Sequence, residues 1–203
     1  AYPVQRDPFS GGAPKIQTGK HGGIYQTTDA GKTWTKLGKG LPDGAYGRCG
    51  ISVYRKNPSI VYAVIQTEKT TGQTDNTGQP QKPNEGDVDK GGIFRSEDRG
   101  KTWKKLNDLV PRPFYYGQIR VDPSDDNRIY VLGVAFHISN DGGKTFTNPQ
   151  TGMHPDHHAM WINPTDSNHA VVGNDGGFYI TKDRGKTWTA KRGLCISQFY
   201  GVA

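Results

Sequence analysis

Four times along this chain a short run of hydrophobic residues is introduced by glycine and soon followed by a polar turn. The four are Gly23-Ile24-Tyr25, Gly92-Ile93-Phe94, Gly133-Val134-Ala135-Phe136 and Gly177-Phe178-Tyr179-Ile180. Runs this short, bounded by turn residues, predict β-strands. Three longer stretches each read as two strands joined at a proline turn: Ile51 to Val64 around Asn57-Pro58, Ile119 to Val131 around Asp122-Pro123, and Trp161 to Val172 around Asn163-Pro164. Proline fixes φ and has no N–H, so it suits the turns and not the strands beside them. Asn174-Asp175-Gly176-Gly177 marks a further tight turn.

An eight-residue pattern follows each glycine-led strand. It reads Thr27-Thr28-Asp29-Ala30-Gly31-Lys32-Thr33-Trp34, Ser96-Glu97-Asp98-Arg99-Gly100-Lys101-Thr102-Trp103, Ser139-Asn140-Asp141-Gly142-Gly143-Lys144-Thr145-Phe146 and Thr181-Lys182-Asp183-Arg184-Gly185-Lys186-Thr187-Trp188. The four aspartates lie 69, 43 and 42 residues apart, and a period in the forties is that of a four-stranded propeller blade. The longer first interval contains Thr67 to Lys90, polar and rich in Gln, Asn, Gly, Thr and Pro, which reads as an exposed loop inserted between two strands. The expected fold is all-β: a partial β-propeller of four-stranded antiparallel blades, part of a larger propeller. Its divisions are a leading segment 1–22, the outer hairpin of a first blade 23–38, a second blade 47–110 with the inserted loop 67–90, a third blade 117–149, a fourth blade 158–190, and the first strand of a following blade 196–203.

The repeated turn has a physical logic apart from catalysis. Its aspartate can accept backbone N–H groups, its glycine permits a positive φ, and its aromatic ring can bury between neighbouring sheets. Asp29, Gly31 and Trp34, Asp98, Gly100 and Trp103, Asp141, Gly143 and Phe146, and Asp183, Gly185 and Trp188 are therefore assigned structural roles.

On these turns the sequence resembles the Asp-box, or BNR-repeat, superfamily of propellers, which includes sialidases, xyloglucanase-type glycoside hydrolases, photosystem assembly factors and sortilin-type receptors. The resemblance runs from Gly22 over nearly the whole chain. It is closest to bacterial sortilin-like or BNR-repeat glycosyl-hydrolase-like proteins through Arg112-Pro113-Phe114-Tyr115-Tyr116, Asp156-His157-His158-Ala159-Met160-Trp161-Ile162 and Gln198-Phe199-Tyr200. It implies an extracytoplasmic, non-catalytic module that binds a protein, peptide or glycan, or that forms a structural part of a larger assembly. A glycoside hydrolase acting on polysaccharide and an assembly factor are the alternatives. It also implies that further blades, of the same protein or of another chain, complete the ring. Sialidase activity is disfavoured, because the Arg-Ile-Pro signature is absent; Tyr54-Arg55-Lys56-Asn57-Pro58 comes nearest to it.

If the superfamily's strand order holds, the first strand of each blade lines a central channel, and the loops leading into those strands are where a ligand would bind. They place Tyr46, Arg48, Tyr115, Tyr116, His157, His158, Phe199 and Tyr200 at the channel mouth, able to stack on a sugar or anchor an extended peptide. The alternative is that these rings pack between adjacent first strands. His154, Asp156, His157 and His158 form the densest group of potential metal ligands or acid–base residues. In an extended chain, however, residues 157 and 158 point to opposite faces. Asp43, Asp108 and Asp156 are the carboxylates outside the repeated turns that lie nearest the loops, with His157 as a further candidate for catalysis.

Composition adds limits. The net charge of +7 and pI near 9.3 suit an anionic partner. Part of that excess belongs to the lysine repeated in every turn, which argues against reading it as a nucleic-acid interface. No apolar run approaches the roughly 18 residues of a membrane helix, and Ala1 to Arg6 lack the apolar core of a signal peptide, so a mature or internal segment is expected. Nucleophile-elbow, phosphate-loop, Cys-x-x-Cys and His-Glu-x-x-His motifs are absent, and no cofactor is expected. Cys49 and Cys195 leave the redox compartment open.

Overall fold

A computed structural model describes residues 18–70, 86–111, 115–149, 151–191 and 193. Apart from one turn of 3-10 helix at Val88–Lys90, their regular structure is all strand. The strands are β1 (Tyr25–Gln26), β2 (Thr35–Lys36), β3 (Tyr46–Val53), β4 (Val61–Thr67), β5 (Gly92–Ser96), β6 (Lys104–Asn107), β7 (Gln118–Asp122), β8 (Asp125–Leu132), β9 (Phe136–Ser139), β10 (His157–Ile162), β11 (Ala170–Asn174), β12 (Gly177–Thr181) and β13 (Thr189–Lys191). They form a hairpin β1-β2 and three antiparallel sheets in sequential order, β3-β4-β5-β6, β7-β8-β9 and β10-β11-β12-β13. This is an all-β arrangement of propeller blades.

The third sheet departs from the expected four strands. Its outer position is reduced to a bridge between Ile138 and Thr147. Pro149 follows two residues later and has no N–H with which to extend a ladder. The ends of the polar stretch 67–90 are fastened to each other. Thr67 Oγ1 donates to Asp89 O at 2.6 Å, and Lys69 Nζ meets Asp89 Oδ2 at 2.7 Å. The strand expected over 196–203 and the segment 1–17 lie outside the described residues.

The sheets stack face to face, and alternation along each strand serves two interfaces at once. From β4, Tyr62 and Val64 join Ile93, Leu106, Ile119, Val121, Ile129, Val131 and Phe146 between the second and third units. Val61, Ala63 and Ile65 of the same strand point the other way, with Phe94 and Trp103, onto Ile24 and Leu41. Tyr130 and Leu132 of β8 repeat the alternation towards Met160, Ala170 and Val172. Each fully buried side chain of this kind contributes about 1.5–3 kcal/mol. The outermost faces lack such cover among the described residues. Trp34 on the hairpin is 60% exposed, and Phe178 on the last sheet is 41% exposed.

The repeated turns share one geometry. In the second, Asp98 accepts hydrogen bonds from Thr102 N at 2.8 Å, Thr102 Oγ1 at 2.6 Å and Ser96 Oγ at 2.8 Å, while Ser96 Oγ accepts from Gly100 N at 2.8 Å. The bonds from Thr33, Thr102 and Thr187 hold Asp29, Asp98 and Asp183 at a pKa of about 2. The residue before each turn glycine is also left-handed: Ala30, Arg99, Gly142 and Arg184, with φ of 58°, 63°, 75° and 62°. Its N–H reaches back to the proline-turn side of its own blade, from Arg99 to Ser59 O at 3.0 Å, Gly142 to Asn127 O at 2.9 Å and Arg184 to Asn168 O at 3.1 Å. The aromatics of the last three turns pack towards the sheet before them: Trp103 beside Ile24 and Leu41, Phe146 among residues of β4 to β6, and Trp188 edge-on to Phe136 at 5.5 Å.

Candidate ligand-binding site

The first strand of each sheet sits at one edge, and these edges lie side by side. Val121 N donates to Ser52 Oγ at 3.0 Å, joining β7 to β3, and Arg120 Nε donates to Met160 O at 3.1 Å, joining β7 to β10. The approach of β3 to the start of β7 is close enough that a Cβ on Gly50 would stand 1.8 Å from Gly117 O. The loops leading into β7 and β10 therefore open together at one end of the adjoining edges.

There the structure gathers Tyr115, Tyr116, Asp156, His158 and Asp175. The Tyr116 ring is buried and its hydroxyl donates to the Asp156 carboxylate. Tyr115 stands edge-on to Tyr116 at 5.0 Å and to His158 at 5.8 Å, and the His158 ring lies tilted over Tyr116 at 5.3 Å. His158 Nε2 meets Asp175 Oδ1 at 3.0 Å. Tyr115, His158 and Asp175 are exposed and Asp156 is half-buried, so the group presents two ring surfaces and the Asp175 carboxylate to solvent at the mouth. Asp156 holds a left-handed φ of 65°, uncommon for a non-glycine residue. It is fixed there because its N–H donates to Val134 O at 3.1 Å and that of His157 to Gly133 O at 2.8 Å.

His157 turns inward, as alternation along the strand requires. It is buried against Phe136, with ring centroids 5.4 Å apart, and its Nδ1 lies 3.4 Å from Asn174 Nδ2. Burial lowers its pKa to about 4, so the imidazole is neutral near pH 7. His154 is exposed, with Nδ1 3.0 Å from Pro155 O. Among the described residues no set of three or more His, Cys, Asp or Glu is placed to hold a metal ion, so His154, Asp156, His157 and His158 do not converge on one point.

The other expected site residues are placed as follows. Tyr46 is a core residue, 1% exposed, whose hydroxyl donates to Pro42 O at 2.7 Å. Its ring fills the space between hairpin and second sheet rather than the mouth. Arg48 is half-buried, with its aliphatic stem against Gly117, beside the loop that carries Tyr115 and Tyr116. Asp108 pairs at 2.5 Å with Lys105, whose side chain is buried and also donates to Asp87 O at 2.6 Å. Asp43 is exposed, and its N–H donates to Asp89 Oδ1 at 3.1 Å. Burial raises the Cys49 thiol to about 11. Phe199, Tyr200 and Cys195 lie outside the described residues. Asp175 was not singled out from the sequence. It sits in the Asn174-Asp175-Gly176-Gly177 turn, and only the pairing of β10 with β11 brings it beside His158.

Residues 93–106 match the family described as BNR-Asp box repeat, and residues 179–190 the BNR/Asp-box repeat. A xyloglucanase of Hypocrea jecorina (strain QM6a) is 28% identical over 204 aligned positions, 90% of this chain and 21% of that protein. Sortilin of Danio rerio is 30% identical over 108, which is 47% of this chain and 13% of the receptor. The GH74 enzyme of Niastella koreensis superposes with a TM-score of 0.56 at 17% identity, over 83% of this chain and 26% of its own. The GH74 xyloglucanase of Xanthomonas campestris gives 0.54 at 15%, over 85% and 27%. At those identities the two structures share the fold. The chain spans about a fifth of the Hypocrea xyloglucanase. Four turns of one geometry, sheets stacked as blades and these likenesses identify the chain as β-propeller blades that carry Asp-box, or BNR, repeats.

Proposed function

We propose that this chain is the carbohydrate-recognising part of an extracytoplasmic β-propeller protein that acts on or binds a polysaccharide, completed by further blades. The observation that carries the reading is the group at the mouth. Tyr115 and His158 offer exposed rings for the C–H faces of a sugar, and Asp156 and Asp175 offer acceptors for its hydroxyls. The likeness to xyloglucanases over most of the chain favours a plant-type β-glucan as ligand. Calorimetric titration with xyloglucan oligosaccharides is expected to show binding, weakened about tenfold by Tyr115→Ala through loss of one stacked ring. Failure to bind any polysaccharide, with tight binding of an extended peptide at the same rings, would assign the mouth to a receptor role.

The xyloglucanase likeness also favours a second reading, in which the protein hydrolyses its glycan. That chemistry needs two carboxyl groups roughly 5–9.5 Å apart across the scissile bond. Asp156, already held by Tyr116, is the carboxyl group to test within this chain. Loss of hydrolysis in Asp156→Asn with binding retained would support the reading, and unchanged turnover would remove Asp156 from it.

A further inference from the structure

The arginines of the first strands differ from Arg95 and Arg184, which are paired with carboxylates. At the outer edges, Arg95 meets Asp126 at 2.8 Å and Glu97 at 3.0 Å, and Arg184 meets Asp122 at 2.9 Å and Asp125 at 3.1 Å. On the first strands, or just beyond them, Arg48, Arg55 and Arg120 meet no carboxylate among the described residues. Arg120 is the most tightly held. Half-buried, it donates from Nε to Met160 O at 3.1 Å and from Nη1 to Ile119 O at 2.8 Å, which fixes the guanidinium without neutralising it. Burial alone lowers its pKa, and no acid opposes the effect. A guanidinium nevertheless keeps its proton at physiological pH, so the charge stands.

Arg120 lines a cavity of about 280 Å³ that crosses all three first strands. Ile51, Ser52, Val53 and Arg55 contribute from the β3 side and Trp161 from β10. Trp161 exposes half of its surface, and Arg55 is exposed at the end of the same cavity. The cavity thus joins uncompensated positive charge to an open aromatic ring, whereas the mouth group joins rings to carboxylates.

We propose that this inner cavity is a subsite for a carboxylate-bearing sugar of an acidic polysaccharide, with Arg120 and Arg55 binding the carboxylate and Trp161 lying against the apolar face of the sugar. The planar fork of a guanidinium matches the two oxygens of a carboxylate, and a uronate residue presents both that group and a C–H face. A neutral hexose would leave the charge unanswered in a half-buried place. The inference rests on the glycan reading of the mouth, and it adds a preference for charge that the mouth alone does not predict.

The test measures polygalacturonate and neutral xyloglucan side by side, at low salt and at about 0.5 M salt, where exposed charge pairs are largely screened. Polygalacturonate is expected to bind about tenfold more tightly at low salt, with the preference lost at high salt. Arg120→Gln and Arg55→Gln are each expected to abolish most of that preference while leaving xyloglucan affinity within about twofold. Arg55 is exposed, so its variant remains informative even if Arg120→Gln destabilises the fold. Equal affinity for the two polymers, or a preference that survives both substitutions, overturns the inference and leaves the mouth reading intact. Failure of both polymers to bind overturns the mouth reading and this one with it. Arg120-dependent capture of a peptide with a free C-terminal carboxylate, without polygalacturonate binding, reassigns the cavity to a peptide.

Discussion

At the scale of the residue, the turn aspartates and His157 store pH sensitivity of different origin. Asp141 accepts from Thr145 N at 2.9 Å, Thr145 Oγ1 at 2.6 Å and Ser139 Oγ at 2.8 Å. Asp141→Ala is expected to cost about 2 kcal/mol, read from the denaturant midpoint, with ligand affinity unchanged. Asp29, Asp98 and Asp183 have folded pKa values near 2, below the 3.8 of a free aspartate. Their contribution is complete above about pH 4 and is lost as pH falls towards 2. His157 acts earlier in an acid titration. Its folded pKa of about 4 lies below the free value of 6.5. Above 6.5 both states are neutral; between 6.5 and 4 only the unfolded chain takes up the proton, so stability falls by about 3 kcal/mol over that range. Thermal melts at pH 7 and pH 4.5 should show a smaller difference in His157→Gln than in the parent. An equal difference would place the sensitivity elsewhere.

Among the elements, the strands that set the site do so through backbone proximity. Gly50→Ala would drive a methyl group into Gly117 O and push apart β3 and the loop bearing Tyr115 and Tyr116. We expect a loss of about 1–3 kcal/mol in stability together with weaker glycan binding, separable from Asp141→Ala by that second effect. The strands and the role of the repeated turns could be read from Asp98-Arg99-Gly100 and its relatives, because these signals are local: an acceptor, a glycine and a ring within eight residues. The left-handed φ of Arg99 and Arg184 could not, since it depends on N–H bonds to Ser59 and Asn168 across the blade. The site was legible only in part for the same reason. Tyr115, Tyr116 and His158 were visible as residue types at the entries into β7 and β10. Tyr46 looked equivalent to them, and only its packing against Ile24 and Ile65 shows it to be core. Asp175 and Arg120 carry no sequence signal beyond an ordinary turn and an alternating strand.

For the whole molecule, the exposed end faces dominate. Trp34 at one end and Phe178 at the other are the kinds of residue that every internal interface buries. The 203-residue chain on its own is expected to self-associate. Sedimentation should show that association weakened about tenfold by combining Trp34→Lys with Phe178→Lys, since charge on an apolar face opposes its burial. A chain that stays monomeric at all concentrations, with no binding of a hydrophobic dye, would contradict this.

The backward reach of the turn aromatics sets an order of events during synthesis. Trp103, Phe146 and Trp188 each find their socket in chain made earlier, so each unit can lock as soon as its own turn leaves the ribosome. Damage to an early unit should then reach the one translated after it, and damage to a late unit should bare the face of the one before it, because each shared core is built from both sides.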